Sequence, residues 1–500
     1  MSNIKQLAGQ TIWYGASSIA ARLLNYLLTP YLTLKLSGVG YGEMSLVYAA
    51  IPFLNIIFTY GIETGYFRFV QKAKDSHTVY NTGFISLLIS TVLFTAMLYF
   101  SSGSIAGFLQ LQNHPEFITY SAFIIAFDTL STLPFALLRQ QGKPVKFASI
   151  RIASILITIA LTYFFISILP QIVADNPDHV LSLIYVKDYQ VGYVIIANLV
   201  ASGITLLLLS KEILSVRLKF DAVLWKQMMI YSLPLIIAGL GGMINETFDR
   251  IMLSWWAPVA TVDAAKAEVG IYSACYKLSI LISLFIQAFR MGAEPFFFKQ
   301  AEGQNAPRTY ARVMKFFVIT ITIMFLVVAL YLNIWKYFIR NEAFWVGLKI
   351  VPVLLFANMF LGIYYNLSVW YKLTNQTLYG AYITIAGAAV TLLINYFMIP
   401  YFSYVACAWA TFASYGCMMI LSYKLGQRYY PIPYATKKLI AYMVIVALLF
   451  FVHKGITSLY SNTYFNVGLA TTMLIGYLFF LAKIEKKELV GLPVIGKYLS

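Results

Sequence analysis

The chain has 500 residues, of which 60% are apolar and only 11% charged, and its mean hydropathy is +0.75. Soluble globular chains run at about 45–50% apolar and about 25% charged, so the apolar surplus cannot be folded into a soluble core and the chain reads as an integral membrane protein. Its 37 Phe and 38 Tyr exclude disorder and collagen, and its three Cys exclude a disulfide scaffold.

A helix needs about 20 apolar residues to cross a bilayer's hydrocarbon. Runs near that length predict fourteen spans, at roughly 10–36, 43–67, 81–101, 117–138, 147–170, 190–210, 228–248, 270–292, 312–334, 347–371, 377–399, 403–423, 437–453 and 464–483. The first is too long for a cleaved leader, carries Arg22 and Asn25 inside it, and has no basic stretch ahead of it beyond Lys5. The Gly-rich span 228–248 and the short span 437–453 are the weakest. Pro30, Pro52, Pro134, Pro234 and Pro352 fall inside spans and predict kinks. Cys275, Cys407 and Cys417 sit in apolar stretches and read as buried thiols. His77, His114, His179 and His453 read as lying in polar connecting segments without metal-binding spacing. The sequence contains no G-x-x-x-x-G-K-[ST] loop and no Gly-rich dinucleotide turn.

Lys and Arg crowd into alternate connections. They include Arg68, Lys72 and Lys74; Arg139, Lys143, Lys146 and Arg151; Lys211, Arg217, Lys219 and Lys226; Lys299, Arg308, Arg312 and Lys315; and Lys424, Arg428, Lys437 and Lys438. The connection 101–117 has no cation, 171–189 has only Lys187, and 335–349 is the exception with Lys336, Arg340 and Lys349. By the positive-inside rule both termini are predicted cytoplasmic. The net charge of +17 is thereby assigned mostly to topology and to anionic lipid heads rather than to nucleic acid.

An internal repeat orders the spans. Span two opens with Gly42-x-x-Ser45-x-x-Tyr48 and span eight with Gly270-x-x-Ser273-x-x-Tyr276; span two closes with Gly61-Ile62-Glu63 and span eight with Gly292-Ala293-Glu294. The matches relate spans one to six to spans seven to twelve in the same orientation, a parallel repeat about an axis along the membrane normal. The predicted fold is therefore an all-α membrane protein of about fourteen helices. Its parts are a six-helix lobe in 1–215, a second in 216–428, and two further helices with a basic tail in 429–500.

The run Ile12-Trp13-Tyr14-Gly15 through Arg22, then Pro30, Tyr41-Gly42 and Gly61-x-Glu63-x-x-Tyr66-Phe67-Arg68, resembles the polysaccharide-biosynthesis (Wzx-type) flippases. These belong to the multidrug/oligosaccharidyl-lipid/polysaccharide exporter superfamily, and the similarity in layout covers nearly the whole chain. The resemblance implies a V-shaped, MATE-like, two-lobed transporter whose cavity is lined by spans one, two, seven and eight. It also implies a substrate that is a sugar chain on polyprenyl pyrophosphate, moved to the outer leaflet of a bacterial inner membrane for O-antigen, capsule or exopolysaccharide assembly. Other polysaccharide-assembly membrane proteins are expected partners, and no cofactor is expected beyond Na⁺ or H⁺.

An ionisable side chain inside a span costs a few kcal/mol at least and is a functional candidate. The candidates are Arg22, Glu63, Asp128, Glu246, Asp249, Arg250, Lys277, Arg290 and Glu294, eight of the nine in spans one, two, seven and eight. Each has a plainer alternative. Glu246 with Arg250, and Arg290 with Glu294, are spaced i,i+4 and could be intrahelical ion pairs. Glu63 could be solvated near the interface, and Lys277 could snorkel outward. Arg22 has no acid at i±3 or i±4 and must meet another helix, water or an anion.

Arg suits a pyrophosphate because its planar fork bonds two oxygens at once. Arg22, with Arg250 or Arg290, is expected to hold that group, with Lys277 and Asn25 beside it. Asp128, Glu246, Asp249, Glu63 and Glu294 are the candidates for ion coupling. A cation or drug antiporter of the same superfamily is the first rival. A membrane glycosyltransferase is the second, and the absence of a D-x-D motif and of a long loop argues against such an enzyme.

Overall fold

The computed structural model describes residues 19–20, 22–71, 75–300, 303, 305–460 and 462–486, with Glu294 and Pro295 described in their backbone only. Among these residues there is no strand, and thirteen helices are long and apolar enough to cross a membrane. The first predicted span lies partly outside the described residues. What is described is helical over 22–27 and resumes in α1 (Thr29–Lys35). Pro30 occupies the first turn of α1, where the missing N–H would have no intrahelical partner anyway. The helix is thus interrupted at Leu28, just ahead of the proline.

The N-terminal half continues with α2 (Gly38–Val70), α3 (Ser76–Phe100), α4 (Glu116–Gln140), α5 (Pro144–Asp175) and α6 (Gln190–Leu208). The next six are α7 (Ala222–Trp256), α8 (Val262–Gln300), α9 (Ala306–Ala329), α10 (Glu342–Leu373), α11 (Leu378–Phe402) and α12 (Tyr404–Tyr429), followed by α13 (Thr436–Leu459) and α14 (Thr463–Ile484). The two weakest predictions become full helices, because α7 runs for 35 residues and α13 for 24. His453 thus belongs to α13, where it is buried against the carbonyl of Asn466 (3.3 Å), and not to a polar connection. Pro352 stands at a change of helix type within its span. It begins the α-helical part of α10 after a 3₁₀ stretch, Glu342–Ile350.

In the first half α4 packs on α3 and α6, and α6 on α5; in the second, α12 packs on α10 and α11, and α7 on α11. The halves meet most extensively along α2 and α8, at the paired glycines of the repeat. A Cβ on Gly42 would stand 1.9 Å from the Lys266 carbonyl oxygen, and one on Gly270 would stand 2.2 Å from the Gly38 carbonyl oxygen. Each repeat glycine therefore faces the residue four before its counterpart, the reciprocal contact expected of two related helices crossing at a shared axis. Beside the crossing, Lys266 Nζ is buried and donates to Glu43 Oε1 at 2.8 Å.

The closing motifs of the repeat diverge. α2 breaks at Tyr60 and Gly61, which adopt left-handed φ values of 34° and 71°, and resumes as Ile62–Val70. Gly61 lets the turn press on α7, since a Cβ there would lie 3.1 Å from the Ser232 carbonyl oxygen and 3.2 Å from Leu235. α8 runs through Gly292 without a break.

Helices α13 and α14 lie against α9, and a buried carboxylate fastens their ends. Glu485 takes Lys438 Nζ at 2.6 Å, Lys315 Nζ at 3.1 Å and the Tyr442 hydroxyl. Burial pushes this carboxyl up, but the contacts with Lys438, Tyr442 and Lys315 outweigh it and hold it below the usual carboxylate range.

Two predictions follow from these contacts. Gly42→Ala or Gly270→Ala should destabilise the protein by about 1–3 kcal/mol through overpacking, lowering its thermal midpoint in detergent. Glu485→Gln should cost about 3 kcal/mol at neutral pH. Because the folded carboxyl is held down, its contribution is complete above its ordinary value of 4.5 and is lost as the pH falls further. The melting difference between wild type and Glu485→Gln should therefore shrink below pH 4.5.

Candidate functional site

Inside the N-terminal half, α2, α4, α5 and α6 enclose a cavity of about 590 Å³, within the range of small-molecule sites. The break in α2 supplies one wall, because it turns Glu63 and Thr64 inward beside Asn55 and Thr59 of the preceding segment. Asp128 and Arg139 come from α4, Arg151 and Ser154 from α5, and Thr205 from α6. Hydroxyl and amide groups thus share the wall with two acids and two guanidinium groups.

The charges are matched across helices rather than along them. Glu63 is ion-paired with Arg139 of α4, so it is not simply solvated at the interface. Asp128, three turns from the other acid of its helix, Glu116, accepts a hydrogen bond of 2.9 Å from Ser202 of α6 and attracts Arg151 of α5. The Arg151 guanidinium lies 4.4 Å from the centroid of the Phe135 ring, a cation–π contact that holds it toward the cavity. Arg22 is exposed, has no hydrogen bond or ion pair among the described residues, and repels Arg151 electrostatically. Asn25, one turn on, is also exposed.

The other candidates lie in the C-terminal half. The i,i+4 ion pair expected between Glu246 and Arg250 is replaced by a different arrangement. Arg250 donates to the Glu246 backbone carbonyl (2.9 Å) and to Asp249 Oδ1 (3.0 Å), because Asp249 is buried and is the nearer acid. The Tyr272 hydroxyl closes on the second Asp249 oxygen, and Arg250 sits 4.7 Å from the centroid of Tyr276. Lys277 has no hydrogen bond or ion pair among the described residues and is repelled by Arg250. Arg290 lies over the Tyr365 ring at 4.7 Å. The side chain of Glu294 lies outside the described residues, so its pairing with Arg290 does too.

The repeat carries over into these clusters. Tyr48 of α2 accepts a hydrogen bond from Asn198 of α6 at 3.3 Å, and its counterpart Tyr276 of α8 lies beside Tyr415 of α12. Each repeat tyrosine therefore meets the sixth helix of its own half.

Two charged cavity residues were not among the sequence candidates, Arg139 and Arg151, which were counted among topology-setting cations. A local signal existed for Arg151. Pro144 is a helix-start residue, and taking it as the first turn of α5 puts Arg151 two turns into the span. Nothing local marks Arg139, whose partner lies 76 positions earlier in the chain.

Comparison with known proteins gives three findings. The profile of the family described as "Polysaccharide biosynthesis protein" matches residues 7–301. An Lsg locus protein of Haemophilus influenzae is 21% identical over 297 residues, which is 58% of this chain and 65% of the relative, so the match spans less than two thirds of that protein. Among solved structures, the lipid II flippase MurJ in an inward closed conformation superposes with a TM-score of 0.74 at 14% identity, covering 95% of this chain and 99% of MurJ. An inward-facing multidrug resistance MATE family transporter of the MOP superfamily gives 0.62 at 13% identity, over 85% of this chain and 95% of that one. The fold is thus the one these transporters share.

Proposed function

Because the chain belongs to the polysaccharide biosynthesis protein family, we propose that it is a flippase for a lipid-linked oligosaccharide, working by alternating access between two lobes, 1–215 and 216–428. The physical task is plain. A glycan head cannot cross hydrocarbon, since each unpaired hydroxyl costs several kcal/mol, whereas the polyprenyl tail needs no help.

The observation that carries this reading is the make-up of the N-terminal cavity. Its hydroxyl and amide groups suit a sugar, and its cations suit a pyrophosphate. Glu63 is taken by Arg139 and Asp128 is engaged by Ser202 and Arg151, so the acids do not leave a net negative wall. A wall so balanced lacks the net negative charge that would suit the cationic drugs of a MATE-type antiporter, and Arg22 adds a further cation near Arg151. Arg22 is the first anion contact, with Arg151 beside it; Arg250, Arg290, Lys277 and Asn25 receive the head group as the lobes exchange access. The membrane is a bacterial inner membrane with both chain termini cytoplasmic, and other envelope-assembly membrane proteins act on the product.

An ion gradient supplies the work, since moving one charge through 100 mV yields about 2.3 kcal/mol. Asp128 is the first coupling candidate because it lines the cavity; Glu63, Glu246, Asp249 and Glu294 follow.

Arg22→Ala should abolish transport of lipid-linked oligosaccharide in vesicles while the protein still folds and inserts; full transport by that variant would exclude the anion role. Asp128→Asn should make residual transport insensitive to the imposed proton or sodium gradient, whereas wild-type transport indifferent to pH, Na⁺ and potential would exclude coupling. Expression that raises resistance to cationic dyes would favour the antiporter reading.

A further inference from the structure

A second, separate pocket lies between α8 and α10, near the ends of these helices on the side of Arg308 and Arg312. It is narrow, with room for about one water-sized group (10 Å³) at its closed part and about 360 Å³ once its open mouth is counted. That shape excludes a sugar ring and admits a single oxygen atom of a larger group.

The wall is basic among its described residues. Arg290 and Lys372 line it, and none of its described lining residues is acidic. Asn366 also lines it, is 4% exposed, and its Nδ2 finds no hydrogen-bond partner. A buried amide N–H₂ without an acceptor costs about 1–3 kcal/mol, so this group calls for an acceptor from outside the chain. The remaining wall is apolar, chiefly Phe289 and Phe297, and Phe298 beside it is half-exposed. Two cations, an unmet donor and an apolar approach together describe a receptor for an anionic oxygen carried on a hydrocarbon chain.

We infer that this pocket binds the phosphate group of a membrane lipid, with one phosphoryl oxygen at Asn366 Nδ2, the rest of the phosphate between Arg290 and Lys372, and the acyl chains against Phe297 and Phe298. The site is distinct from the N-terminal cavity; Arg290 is shared with the path proposed for the head group, and the variants that probe the site, at Asn366 and Lys372, leave Arg290 in place.

The test is native mass spectrometry of the purified full-length protein with three probes. These are phosphatidic acid, diacylglycerol with the same acyl chains, and inorganic phosphate. Phosphatidic acid should be retained, diacylglycerol should not, and inorganic phosphate should bind far more weakly for want of the chains. Asn366→Asp, which sets a carboxylate where the donor stood, should lower retention of phosphatidic acid about tenfold. Lys372→Gln, a change at the half-buried rim that spares the fold, should lower it by a comparable factor. Equal retention of diacylglycerol, or unchanged retention in both variants, overturns the site and leaves Asn366 to a bound water. Inorganic phosphate binding as tightly as the lipid overturns the lipid as its source. Because the readout is retention and not transport, failure here leaves the flippase reading standing, and failure of that reading leaves this site testable.

Discussion

A charged side chain within a hydrocarbon slab has to be met by an opposite charge, a hydrogen bond or water. That constraint organises this molecule more than any apolar contact does. In the N-terminal half it joins Glu63 to Arg139 and draws Asp128 to Ser202 and Arg151. In the C-terminal half it folds Asp249, Arg250 and Tyr272 into one buried cluster. At the end of the chain it gathers Lys315, Lys438 and Tyr442 around Glu485. The first and last of these tie together helices that are not consecutive in the chain, while the Asp249 cluster joins the consecutive α7 and α8. The charges therefore act as cross-links whose positions decide where a wet space can exist.

The two halves are alike where they touch and unlike where they do not. The Gly42 and Gly270 faces obey the same steric rule, since each lies against backbone and tolerates no Cβ. Farther along, α2 breaks at Gly61 and bends onto α7, while α8 stays whole through Gly292. The break puts Glu63 into the wall of a cavity on one side. A fold built from a duplicated unit can in this way keep a shared seam and still assign different chemistry to each half.

Much of this was legible in the sequence because it rests on local physics. Apolar run length located the spans, and the small residues of the repeat located the α2–α8 crossing, since close backbone approach demands glycine. The intramembrane charges were legible as a set: Glu63 and Asp128 line the cavity, and Arg22 reaches it electrostatically through Arg151. Their partners were not, because Glu63–Arg139 and Asp128–Ser202 depend on which helices become neighbours. The i,i+4 spacing of Glu246 and Arg250 allowed an ion pair, but the guanidinium instead takes Asp249, the residue beside it in the same helix. Pro30 and Pro352 were legible as interruptions, since each stands in the first turn of an α-helical stretch with a break or a 3₁₀ stretch just ahead of it.

The seam at Glu43 and Lys266 has a further consequence for a protein that spans a membrane many times. The ammonium there is almost wholly shielded, its carboxylate partner is mostly so, and backbone lies against backbone alongside. Parting the two helices would forfeit that pair and its dense packing together, and every 1.4 kcal/mol so lost makes the parted form about tenfold rarer. The pair and the packing beside it therefore weigh together against separation of the two helices at this crossing.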